Sequence, residues 1–350
     1  MDAAGRGAGG GRGRNGGGCS GHPRVTEGRQ ASPRLLGAGL IVVAASCFGT
    51  LGPLARLAAQ AGVGSLSLVT WRAALGGLCM VSFIGVRVAL GHRPFASLRD
   101  LPRRDRWSLV TAGVANTVLN LSIFVAFERV SIALTLLVFY LYPALVAIAS
   151  VLWFGDRLDR IRWGALATSL VGSVLVVAGA GSLGRLDPVG LGLAFVGAVA
   201  QAFYVLSARH GFSRVPGPQA AAVTMLLAAL LYTVAALVVG QAAVLVQPLS
   251  GMSGAAPVLL AGVIGAGVPT LCFITGIRLL GAPRAAILST LEPVVGVGLA
   301  ALLLGEQPAL LQIVGGLLII GAGVLLQVRS PDELAEHEAV RVDVAPGAGG

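Results

Sequence analysis

Apolar residues run through this chain in long blocks, broken by short polar segments, rather than at the spacing of an amphipathic helix or strand. A helix needs about 20 mostly apolar residues to cross a bilayer. Ten blocks meet that length, at roughly 36–58, 66–86, 108–127, 132–154, 163–181, 189–208, 219–240, 256–277, 285–304 and 309–328. The connections are short, as between antiparallel neighbours, and leave no stretch for a separate soluble domain. The pattern predicts an all-α integral membrane protein with ten transmembrane helices.

The polar residues orient those helices. All 25 basic residues are Arg. With a cytoplasmic N-terminus, 21 of the 25 fall in the two tails or in cytoplasmic connections. Arg129 and Arg185 fall outside, and Arg56 and Arg72 lie within spans. An Arg excess on the cytoplasmic side is what sets topology, so both termini are expected to be cytoplasmic. Composition agrees: 55% of residues are hydrophobic, 11% are charged and mean hydropathy is +0.85, against about 25% charged in a soluble domain. The net charge of +10 follows from topology, so no nucleic-acid partner is expected. All-Arg usage with abundant Ala, Gly, Val and Leu suggests a GC-rich bacterial genome, and hence a multi-pass protein of the bacterial plasma membrane.

Residues 1–34 are Gly/Arg-rich, and residues 329–350 are acidic and then Gly/Ala-rich; both are expected to be disordered tails. Cys19, Cys47, Cys79 and Cys272 form no CxxC pair and are expected to be inert thiols. The four His lie in tails, loops or at a span end. No HExxH, GxSxG or phosphate-binding loop occurs. No enzyme activity, metal or cofactor is expected.

The chain repeats itself. "LYPALVAIASVLWFGD" (141–156) parallels "LEPVVGVGLAALLLGE" (291–306), matching Pro143 with Pro293, Gly155 with Gly305 and Asp156 with Glu306 at an offset of 150. Gly164 and Gly172 match Gly315 and Gly323 at 151. A near-constant offset marks a repeat. A repeat of five helices, an odd number, places the second copy upside down. The Arg distribution agrees, since "GDRLDRIRW" carries three Arg and its counterpart "GEQPALLQ" none. Two inverted five-helix repeats, at 35–182 and 188–328, would place a substrate site near the midplane.

These residues resemble the drug/metabolite transporter superfamily, in its EamA-like branch. The resemblance rests on the two Pro…Gly-Asp/Glu segments, each followed by a Gly-punctuated helix, and on Arg72 in "TWRAALGG". It covers about residues 36–328. It implies a ten-helix transporter of small metabolites working by alternating access, with efflux preferred over uptake. Such proteins often carry Trp in helices 1 and 6, where this chain has Phe48 and Gln201.

Candidate site residues are the polar groups inside spans. A charge at bilayer depth costs roughly 3 kcal/mol on insertion scales, so Glu292 should face protein or a water-filled cavity. It could bind a substrate amine or carry a coupling proton, or it could fix helix 9 to a neighbour; Pro293 should bend the helix there. Asn116 and Asn120 share a helix face and could line a cavity or join helices. Gln201, Tyr204, Tyr140 and Tyr142 have similar standing, and Tyr142 is the repeat equivalent of Glu292. Arg72 could hold a substrate carboxylate, or could snorkel or bind a carbonyl. Glu128 and Arg129 are expected to form a solvated pair, and Trp107, Trp153 and Trp163 to sit at the interface.

The sequence therefore predicts a secondary transporter of a small polar or amphipathic metabolite, such as an amino acid or drug-like compound. Its partners would be that substrate, the lipid bilayer and protons as coupling ion, with room for a homodimer. The alternative is a non-transporting membrane scaffold or a lipid-modifying enzyme. A transporter needs Glu292, Asn116 and Asn120 to converge on one cavity; a scaffold would disperse them.

Overall fold

The computed structural model describes residues 33–92, 96–97, 99–179, 186–304 and 307–326. Apart from Pro33 and Arg34, the tails expected at 1–34 and 329–350 lie outside the described residues, as do Arg185, Gly305, Glu306 and the side chain of Arg56.

Every regular element among the described residues is a helix. Eight are long and apolar enough to cross a membrane. They are α1 (Pro33–Gln60), α2 (Ser65–Ala89), α3 (Arg103–Arg129), α4 (Leu134–Phe154), α5 (Arg160–Gly179), α6 (Pro188–Gly211), α7 (Gly217–Val238) and α8 (Gly254–Leu280). The other two expected spans differ. The ninth segment, α9 (282–304), is divided into a helix Ala282–Leu288, a 3-10 turn Ser289–Leu291 and a helix Glu292–Leu304. The tenth, α10 (Leu310–Leu325), is apolar but only 16 residues long.

α4 is built like α9. Its first turn starts at Ile132, the helix ends at Phe139, the chain turns at Tyr140 and Leu141, and a second helix runs Tyr142–Phe154. Ile132, Tyr142 and Phe154 lie 150 residues before Ala282, Glu292 and Leu304. Pro293 and Pro143 do not kink a continuous helix, as expected of Pro293. Each sits in the first turn of the second helix, where its missing N–H costs nothing. Gly155 ends α4 with φ +69°, a conformation that side chains with Cβ resist.

Helix packing follows the same repeat. α1 packs on α8 and α3 packs on α6; exchanging each helix for its counterpart five later or earlier converts one pair into the other. α2 packs on α7 and α5 on α10, each joining a helix to its own counterpart. The α5–α10 contact is set by glycines. A Cβ at Gly315 would lie 2.5 Å from the Gly172 carbonyl oxygen, so only bare backbone fits. Hydroxyls in the spans bond back to their own helices, as Thr70 to the Leu66 carbonyl (2.6 Å) and Ser173 to the Ser169 carbonyl (2.9 Å). A bilayer core offers no water to satisfy them.

Trp107, Trp153 and Trp163 are exposed. The expected Glu128–Arg129 pair gives way to a longer-range one: Arg129 pairs with Asp187 at 3.4 Å, tying the end of α3 to the start of α6. Cys47, Cys79 and Cys272 are free and half-buried rather than fully enclosed.

Candidate functional site

The central cavity has a volume of about 660 Å³. Its mouth lies among Val130, Ser131, Gln307 and Pro308, in the α3–α4 and α9–α10 connections. Its floor is reached at Tyr140, Gln201, Tyr204 and Phe273. Below the floor the chain is packed solid around Tyr142, Phe212, Ile274 and Ile277, all with under 2% exposure. The cavity therefore opens at the end of the bundle away from Pro33.

Seven of the eight expected site residues line this one space: Glu292, Asn116, Asn120, Tyr140, Gln201, Tyr204 and Arg72. Tyr142 does not. It lies beneath the floor, 1% exposed, with its hydroxyl bonded to Ser289 Oγ. The break in α4 decides this difference. The turn at Tyr140 and Leu141 aims Tyr140 at the cavity and carries Tyr142 into the contact with α9.

The Glu292 carboxylate sits at the start of the second helix of α9, where that helix crosses α1. A Cβ at Gly49 would lie 2.9 Å from the Glu292 carbonyl oxygen, so α1 approaches the break as backbone. Among the described residues no donor bonds the Glu292 carboxylate and no cation comes within ion-pair distance.

Arg72 is 8% exposed. Its Nη1 donates to Asn120 Oδ1 at 2.8 Å. Asn120 Nδ2 donates in turn to the Asn116 carbonyl oxygen (2.8 Å) and Oδ1 (3.2 Å). The two Asn share a helix face, as their spacing requires, and that face presents the guanidinium. Arg72 thus neither snorkels nor binds a backbone carbonyl. Among the described residues, none pairs with the buried Arg72 Nε or with the buried Tyr140 and Tyr204 hydroxyls.

Several further residues, not expected from the sequence, complete the wall. Tyr232 lines the cavity from α7 and donates to the Thr117 carbonyl at 2.9 Å. Thr270 and Gln312 add polar groups from α8 and α10. Phe48 and Phe273 meet edge to face at 6.0 Å and wall its lower part. One signal was available for Tyr232: the chain has 4 Tyr and each lies in an apolar block. Among the described residues no three His, Cys, Asp or Glu side chains gather as a metal site would require.

The model of the EamA-like transporter family matches the chain twice, at residues 35–178 and 188–328. No curated protein matches it in sequence. One solved crystal structure shares its fold with a TM-score of 0.66, at 20% identity, over 85% of this chain and 97% of its own. At that identity the likeness concerns fold alone.

Proposed function

This chain belongs to the EamA-like transporter family, within the drug/metabolite transporter superfamily, and from that premise we propose that it is a secondary active transporter of a small polar or amphipathic metabolite, working in efflux by alternating access. The observation that carries this reading is convergence: charged and amide side chains from α2, α3, α6 and α9 face one cavity. Its volume is in the range of small-molecule sites, about 300–1,000 Å³. A scaffold has no use for such a space, and nothing in its lining favours the lipid-modifying enzyme.

The proposal extends to topology. α9 and α10 complete ten spans, the first repeat at 35–182 and the second, inverted, at 188–328. The matched breaks in α4 and α9 and the paired contacts of α1–α8 and α3–α6 support it. The Arg distribution supports two cytoplasmic termini in a bacterial plasma membrane, with the cavity mouth facing outward. The substrate binds among Glu292, Asn116, Asn120, Tyr140, Gln201, Tyr204 and Arg72. Glu292 takes its amine or carries the coupling proton, because among the described residues no cation pairs with it. A homodimer is compatible with this arrangement.

The experiment compares wild type with Glu292→Gln. Metabolites retained in cells and released to the medium are profiled at two external pH values. Wild type is expected to export a compound, and Glu292→Gln to lose export or its pH dependence. Equal export by both would make the carboxylate structural. No compound moved by wild type would count against the transporter reading.

A further inference from the structure

An arginine has five N–H donors in a fixed fork and keeps its charge in proteins. Arg72 is more than nine-tenths buried at the wall of a cavity, yet among the described residues its guanidinium has a single protein bond, to Asn120. Its Nε is sealed from solvent and unpaired. Among the described residues no carboxylate comes within ion-pair distance of it. A buried charge left this bare is costly, because lost hydration is not replaced. A structural arginine would be expected to find an acid or several carbonyls. This one is held toward the cavity by a relay of two amides, since Asn120 is itself fixed by two bonds to Asn116.

We propose that Arg72 is the subsite for a monoanionic carboxylate on the transported compound, and that Asn116 and Asn120 are positioning residues that set the angle of its guanidinium. The inference rests on the transporter reading above and narrows its substrate class. Planar bidentate pairing makes carboxylate the natural partner of a guanidinium. Among the described residues Arg72 is the one cation lining the cavity and Glu292 lines the same space, which disfavours a dianion, since its second negative charge would meet the Glu292 carboxylate. The carboxylate would displace no protein bond. It would take guanidinium donors other than the sealed Nε, while Nη1 keeps its bond to Asn120.

The test uses purified full-length protein and ligand-induced shifts of apparent Tm. The probes are phenylacetate and hexanoate, their 2-amino derivatives, the primary amide of each, and benzylphosphonate. In wild type the acids should bind at least about tenfold tighter than their amides, the discrimination expected of one charge-assisted pair. Asn120→Asp places a carboxylate against Arg72. It should keep or raise the apparent Tm without ligand and abolish the acid-induced shift. That separates loss of the subsite from loss of the fold, which Arg72→Gln alone does not. Asn120→Ala should weaken acids by a larger factor than it weakens their amides.

Acids and amides binding alike, or no acid binding at all, would overturn the proposal, as would acid binding undiminished in Asn120→Asp. Binding by the phosphonate alone would overturn the carboxylate class. Parallel uptake into vesicles keeps the two readings apart. Transport without acid–amide discrimination sinks the subsite and leaves the transporter standing. Acid binding without transport of any probe keeps the subsite and counts against the transporter.

Discussion

The Ser289 hydroxyl lies 2.8 Å from the Ala286 carbonyl and donates to it, so the Tyr142 hydroxyl is the donor in the bond between Tyr142 and Ser289. Removing either end then has unequal consequences. Tyr142→Phe loses one buried bond, about 1 kcal/mol. Ser289→Ala leaves the Tyr142 hydroxyl buried without an acceptor, which costs about 1–3 kcal/mol. Chemical denaturation in detergent should rank Ser289→Ala as the less stable variant. Tyr142→Phe should still bind whatever the cavity binds, because Tyr142 lies below it. Asp187 gives a second test at this scale. Its carboxylate caps α6, accepting from the Val189 N–H at 3.0 Å, and that bond, together with Arg129, holds its carboxyl below the usual carboxylate range. A carboxyl held low contributes stability that is present above its unfolded value, about 3.9, and is lost as pH falls through the folded value. Asp187→Asn should therefore lower the apparent Tm at pH 7, and the gap from wild type should close as pH drops below about 4.

At the level of elements, α4 and α9 are each two helices in series, and α5 and α10 touch through bare glycine. The α5–α10 contact is unforgiving. A methyl at Gly315 meets the Gly172 carbonyl oxygen at 2.5 Å and the Val176 nitrogen at 2.7 Å, both backbone atoms that cannot turn aside. Gly315→Ala should cost about 1–3 kcal/mol by overpacking, whereas Gly321→Ala, with nothing within 4 Å, should be neutral or slightly stabilising. Thermal unfolding of the two variants makes the comparison. Eight of the ten expected spans were legible in the sequence, because length and apolarity are all a bilayer asks of a helix. The repeat was legible from Pro143 with Pro293 and Gly155 with Gly305. The breaks were not. Pro293 signals a helix start as readily as a kink, and only packing against Gly49 of α1 and the Tyr142–Ser289 bond selects the 3-10 turn at Ser289–Leu291. Seven of the cavity residues were legible because a polar group in an apolar block must face something other than lipid. Tyr142 was misplaced because a break changes which face follows it. Tyr232 was missed because an isolated tyrosine also suits an interface.

At the scale of the molecule, the cavity opens at one end and the other end is tied. Arg278 in α8 donates to the Phe212 carbonyl at 3.0 Å and lies over the Phe212 ring, while Arg209 donates to the Arg278 carbonyl at 2.6 Å. His210 stacks on Phe154 at 4.0 Å, joining α6 to α4. These contacts fasten α6, from the second repeat, to α8 and α4 at the closed end. At the mouth the Arg129–Asp187 pair is 47% and 25% exposed, and a pair so wet contributes little. A transporter at rest in this state should admit reagents from the mouth side alone. With the four native Cys replaced, a cysteine placed at Val297 on the cavity wall should react with a membrane-impermeant thiol reagent added to intact cells. The same cysteine should be protected when the reagent meets only the cytoplasmic face of inside-out vesicles. Arg278→Ala removes the ties of α8 to Phe212 and loosens the closed end, so it should raise labelling from the cytoplasmic face and lower labelling from outside. Alternating access requires those two rates to move in opposite directions, because one equilibrium sets both. If Arg278→Ala raises both rates together, the ties only hold the bundle compact and the closed end is not a gate. If labelling of wild type comes first from the cytoplasmic side, the topology read from the arginines is reversed.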